Sequence, residues 1–175
     1  LEAVKKEVNS LVNLIQIRKI RKERGMKQPP MSLHLVFSGN PGTGKTTVAR
    51  LLSKIYKKLG VLSKGHLIET DRSGLVGGYL GQTAIKTQEV IQSAMGGILF
   101  IDEAYTLVPK SQNDAYGQEA IDTILKAMED HRDDLIVILA GYTKEMKEFL
   151  EANSGLKSRF ANIIEFSDYT GEELM

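Results

Sequence analysis

Eight consecutive residues, Gly39-Asn40-Pro41-Gly42-Thr43-Gly44-Lys45-Thr46, follow the spacing G-x-x-x-x-G-K-[ST]. Average composition produces such a match in fewer than about 1% of chains of this length. Its setting constrains the chain further. The apolar run Leu33 to Phe37 before it reads as a strand, and Thr46 to Leu59 after it reads as a helix that Gly60 stops. Glycine takes positive φ without a steric penalty, so Gly39, Gly42 and Gly44 let the backbone wrap closely. The N–H groups then converge at a helix N-terminus, where the dipole favours an anion. Lys45 adds a point charge suited to β and γ phosphates, and the Thr46 hydroxyl is a hard oxygen ligand for Mg²⁺. The predicted ligands are ATP and Mg²⁺, with Gly39, Asn40, Pro41, Gly42, Thr43, Gly44, Lys45, Thr46 and Thr47 around the nucleotide. The plainer alternative is an ordinary glycine-rich turn.

The rest of the chain alternates in the same manner. Leu67 to Thr70, Ile98 to Ile101, Leu135 to Ala140 and Ile163 to Phe166 read as four more strands. Gln82 to Met95, Gln118 to Glu129 and Lys144 to Leu150 read as the helices between them. Strands alternating with helices imply an α/β fold with a five-stranded parallel sheet and right-handed crossovers. Ile98-Leu99-Phe100-Ile101 has no polar alternation, which suits a strand covered by helices on both faces. Residues 1 to 24 carry Leu1, Val4, Val8, Leu11 and Ile15 at helical spacing, and Gly25 with Pro29-Pro30 makes a connector. We therefore expect an N-terminal helix and linker over residues 1–30 and the core domain over 31–175.

Asp102-Glu103 follows directly on the apolar strand Ile98 to Ile101. Ligands of open parallel sheets sit at the carboxyl ends of the strands, so this pair is expected on the same edge as the loop after Phe37. Asp102 is placed to hold Mg²⁺ together with Thr46, and Glu103 to polarise the attacking water as a general base. An acid-rich helix N-terminus is the alternative.

Three further strings complete a resemblance. They are Gly74-Leu75-Val76-Gly77-Gly78-Tyr79-Leu80-Gly81, the stretch Gly96 to Tyr105, and Ile138-Leu139-Ala140-Gly141-Tyr142. With Gly39 to Ala49 they resemble the AAA+ family of stage V sporulation protein K and the CbbX-type rubisco activase; mycobacterial type VII secretion ATPases share the pattern. The resemblance implies a three-layer P-loop NTPase fold, ATP hydrolysis, a hexameric ring and a protein client pulled through its pore. It implies an arginine finger at Arg159, which would act with Glu103 and Lys45 in catalysis, and a pore loop at Tyr79, Leu80 and Gly81. From spacing alone Tyr79 is equally a half-buried core aromatic. The polar segment Val108 to Gly117 fits a second pore loop or a plain surface loop. Thr143 falls where the family places a polar sensor, and equally where a helix N-cap would stand. The family's helical lid is expected to be absent from these residues, which stop at Glu172-Glu173-Leu174-Met175 where another helix begins to read.

Composition excludes several classes. The 175 residues include no cysteine, so a disulfide framework and a cysteine zinc site are ruled out. A net charge of +1 gives no field for nucleic acid or acidic lipid. No apolar run approaches the roughly 20 residues of a membrane helix. The expected setting is the cytoplasm, with neither nucleic acid nor membrane as partner. The basic run Arg18 to Arg24 reads as a solvated helix end. His34, His66 and His131 lack metal-ligand spacing and read as structural or surface residues. Two rivals to a protein-remodelling motor are a DNA-linked machine of the clamp-loader or branch-migration kind and a non-catalytic ATP-dependent assembly switch.

Overall fold

Five strands, β1 (Leu35–Gly39), β2 (Leu67–Thr70), β3 (Ile98–Ile101), β4 (Ile136–Gly141) and β5 (Asn162–Phe166), run parallel in the spatial order β2-β3-β4-β1-β5. The computed structural model describes residues 2–27, 33–78, 81–108, 115–132, 134–160 and 162–167. The connector at Pro29-Pro30, the loop residues Tyr79 and Leu80, most of the segment Val108 to Gly117 and the closing Glu172 to Met175 lie outside the described residues.

Successive side chains of a strand point to opposite faces, and here both faces are covered. Ile98 and Phe100 of β3, with Leu35 and Phe37 of β1, join a cluster that includes Val4, Val8 and Ile15 of α1 (Glu2–Glu23) and Ala49, Leu52 and Tyr56 of α2 (Lys45–Lys58). Leu99, Ile101, Val36, Val137 and Leu139 point the other way. They meet Ile91 of α4 (Gln82–Ala94), Ile121 and Ile124 of α5 (Ala115–Asp130), Phe149 of α6 (Thr143–Ala152) and Leu156 of α7 (Ser154–Arg159). The result is the expected three layers. The spacing also places α1 correctly, since Val4, Val8 and Ile15 are the residues it buries.

Three short elements were not predicted. They are α3 (Arg72–Leu75), the 3-10 turn Ala104–Leu107 after β3, and α7. At four, four and six residues they are too short to show a helical period. Asp71 starts α3 by accepting a hydrogen bond from the Gly74 N–H at 3.2 Å. β1 begins two residues later than predicted and runs on to Gly39, because Gly39 still pairs with Phe166 of β5. None of the described helices is long and apolar enough to cross a membrane.

Candidate active site

The site is assembled at the carboxyl edge of the sheet, where β1 gives way to α2. Gly42 and Gly44 hold φ of 76° and 95°, a region that side chains disfavour, and an added Cβ at Gly42 would meet no protein atom within 4 Å. Gly44 caps α2 without any side-chain hydrogen bond. The backbone donors of the first helical turn therefore remain to serve a ligand. Gly39, with φ of 145°, is glycine for a second reason: a Cβ there would strike the Phe166 carbonyl of the neighbouring strand. Thr43 is buried, and its hydroxyl donates to the Asn40 carbonyl at 2.7 Å, so it braces the loop from within.

Gly39, Pro41, Gly42, Gly44, Lys45, Thr46 and Thr47 line a cavity of about 340 Å³, and Asp102 and Glu103 line it from the end of β3. That volume lies within the usual range for small-molecule pockets. Lys45 Nζ donates to the Gly39 carbonyl at 2.6 Å. Burial pulls the Lys45 ammonium below the ordinary lysine range, while Asp102 and then Glu103 act to raise it. The two carboxylates thus lie within electrostatic reach of the lysine. The Asp102 side chain accepts from the Glu103 N–H at 3.0 Å.

Glu103 is the only non-glycine with positive φ among the described residues, at φ 48° and ψ 48°. A left-handed glutamate is uncommon and costs of order 1 kcal/mol. The 3-10 turn that follows holds it there, since the Thr106 N–H and hydroxyl both donate to the Glu103 carbonyl, at 2.9 and 2.6 Å.

A family model, the ATPase family associated with various cellular activities (AAA), matches residues 35–168. The chain belongs to that family. The AAA domain is 50% identical over its whole length to stage V sporulation protein K of Bacillus subtilis, covering 54% of that protein. It is 48% identical to protein CbbX of Cereibacter sphaeroides, with 99% of this chain and 56% of that one covered. It is 47% identical to the chloroplastic ribulose bisphosphate carboxylase/oxygenase activase of Cyanidioschyzon merolae, over all of this chain and 60% of that one. The chain therefore spans a little over half the length of these relatives.

Chemically, the donor set of the AAA domain fits Mg–ATP. An open glycine cradle and a lysine suit phosphate, and a hydroxyl and a carboxylate suit Mg²⁺ as hard oxygens. Phe100, Gly141 and Tyr142 also line the cavity and were not singled out from the sequence. Tyr142 follows β4, and its ring lies 6.2 Å from that of Tyr105. Thr143 is exposed, stands outside the lining and is the first residue of α6; Tyr142 holds the N-cap place, so Thr143 is not the helix cap.

Arg159 lies elsewhere. It ends α7, just before β5, at the amino edge of the sheet. Leu35 pairs with Asn162 and Gly39 with Phe166, so the length of β5, about 13 Å, separates it from its own cradle. Its side chain turns to Glu129 at the end of α5, with Nη2 2.9 Å and Nε 3.1 Å from Oε1. Gly81 of the predicted pore loop is an exposed left-handed residue that caps α4, with φ of 83°.

Proposed function

We propose that the protein binds Mg–ATP in this cavity, hydrolyses it, and uses the cycle to remodel a protein client as part of a ring of like subunits. One observation carries the reading. Lys45, Asp102 and Glu103 come from two separate strand ends and line one cavity. Lys45 and the amides of the first turn of α2 bind the β and γ phosphates, and Thr46 and Asp102 hold the magnesium of the substrate. Glu103 orients a water and takes its proton. The water oxygen bonds to the γ-phosphorus as the bond to the bridging oxygen breaks, leaving ADP and phosphate.

Arg159 cannot serve the cavity of its own chain across the length of β5. It serves the cavity of the next subunit, where a guanidinium offsets charge that develops on the γ-phosphoryl group. That assignment makes a ring, which we take as a hexamer, a condition of turnover. Tyr79, Leu80 and Gly81 form the loop that grips the client. The name of the Cyanidioschyzon merolae relative states that it activates an enzyme, ribulose bisphosphate carboxylase/oxygenase. A protein client is accordingly the reading for this chain.

Glu103→Gln in the full-length protein tests the chemistry. ATP binding should persist while steady-state phosphate release falls at least about a hundredfold, the ordinary worth of a general base. Unchanged phosphate release would remove Glu103 from this role.

A further inference from the structure

Arg159 is held more closely than a surface arginine needs to be. Nε and Nη2 both donate to Glu129 Oε1, and Nη1 donates to the Gly155 carbonyl at 3.1 Å. Contacts from three nitrogens fix both the position of the guanidinium and its plane. Glu129 Oε2 also lies 3.5 Å from Nη2 of Arg132, just past the end of α5. Leu156 and Phe160 flank Arg159 as buried anchors of α7, and the Phe160 ring packs 5.7 Å from that of His34. The Arg159 side chain remains 33% exposed. An anchored guanidinium plane on a side chain that is only partly buried suits a group presented to another molecule.

We propose that Glu129 is a positioning residue for the reaction, holding Arg159 in the orientation in which it enters the neighbouring subunit's cavity. This rests on the reading of Arg159 as the group supplied in trans. Nothing in the sequence near Glu129 marks it for this role; the fold brings it to Arg159 across 30 residues. Outer partners that orient a reacting group commonly matter by ten- to a hundredfold, because small misplacements of such a group are expensive in rate. A carboxylate oxygen and an amide oxygen can both accept from Nε and Nη2. The placement therefore predicts that Gln at position 129 keeps most of the effect and Ala loses it.

The experiment measures steady-state ATP turnover of the full-length, assembled protein for Glu129→Ala, Glu129→Gln, Arg159→Ala and the Ala/Ala double variant. Ring assembly and thermal midpoint are checked for each. The expected result is a roughly tenfold lower kcat for Glu129→Ala with KM and assembly unchanged. Glu129→Gln should stay within about twofold of wild type, and the double variant should be no slower than Arg159→Ala alone. If Arg159→Ala collapses turnover while Glu129→Ala leaves it unchanged or raises it, Glu129 is a surface tie or a restraint and the proposal fails. The same holds if the two losses multiply in the double variant. If Arg159→Ala itself leaves kcat unchanged, the reading of Arg159 fails and this one with it. Should Glu129→Ala not assemble, Glu129→Met, which keeps the length of the side chain without its oxygen acceptors, takes its place beside Glu129→Gln. A roughly tenfold lower kcat for Glu129→Met with Glu129→Gln near wild type upholds the proposal, and near-wild-type kcat for Glu129→Met overturns it.

Discussion

At the scale of single residues, the site concentrates its strain in one backbone. Glu103 sits left-handed at the head of a 3-10 turn, and its carboxylate lines the cavity beside Lys45. A glutamine keeps that backbone and side-chain shape, so the loss expected of it reports on the proton acceptor and not on the fold. His34 shows a different economy. Its Nδ1 accepts the Val137 N–H at 2.9 Å, and burial, helped by the Arg159 charge, lowers its pKa to about 4. The unfolded chain takes up a proton near pH 6.5 and the folded chain only near 4, so stability falls as pH drops through that window. The full penalty, reached near pH 4, is about 3 kcal/mol. Thermal midpoints measured from pH 7.5 to 4.5 should fall on the acid side, and His34→Asn should flatten the fall. An equal slope in that variant would assign the acid sensitivity to other groups.

At the scale of elements, α2 carries the phosphate cradle at its head and a polar defect in its stem. Tyr56 is fully buried, its hydroxyl has no hydrogen-bond partner among the described residues, and burial raises its pKa. An unsatisfied buried hydroxyl costs roughly 1–3 kcal/mol, so Tyr56→Phe should raise the unfolding free energy by about 1 kcal/mol without altering nucleotide affinity. Denaturant melts with and without nucleotide check both halves of that statement, and a destabilised variant would refute it. The cradle was readable in the sequence because phosphate chemistry dictates its residue types at fixed spacing. Asp102 and Glu103 were readable because a fully apolar strand ends at them. Tyr142 and Phe100 were not, since an aromatic in a strand or just after one looks like any other until β3, β4 and β1 are laid side by side in that order. The same limit hid Glu129, whose partner lies on another helix, and α3 and α7, whose few residues complete no apolar stripe. The β1 boundary slipped because Gly39 reads as a loop residue, yet the pairing with Phe166 keeps it in the sheet.

At the scale of the whole molecule, the two halves of the proposed chemistry sit on opposite edges of the sheet, Glu103 on one and Arg159 on the other. A complete site then needs two chains meeting head to tail, which closes into a ring when the rotation permits. Mixing two inactive full-length variants, Glu103→Gln and Arg159→Ala, should restore turnover. Arg159 of the first completes the intact cavity of the second at about a quarter of the interfaces in an equal random mixture. A mixture no more active than its components would show that the two residues act within one chain. The strand order carries a consequence for synthesis as well. β1 is made before the other four strands of the sheet, yet its neighbours there are β4 and β5, the last two of the five. The first glycine of the cradle rests on Phe166. The nascent chain must hold its most recognisable segment unpaired until the fourth and fifth strands of this sheet have been translated, a long-range closure of the kind that slows folding. A chain stopped at Phe160 should accordingly show no nucleotide-dependent protection from protease, and protection in that chain would break the link between the last strand and the first loop.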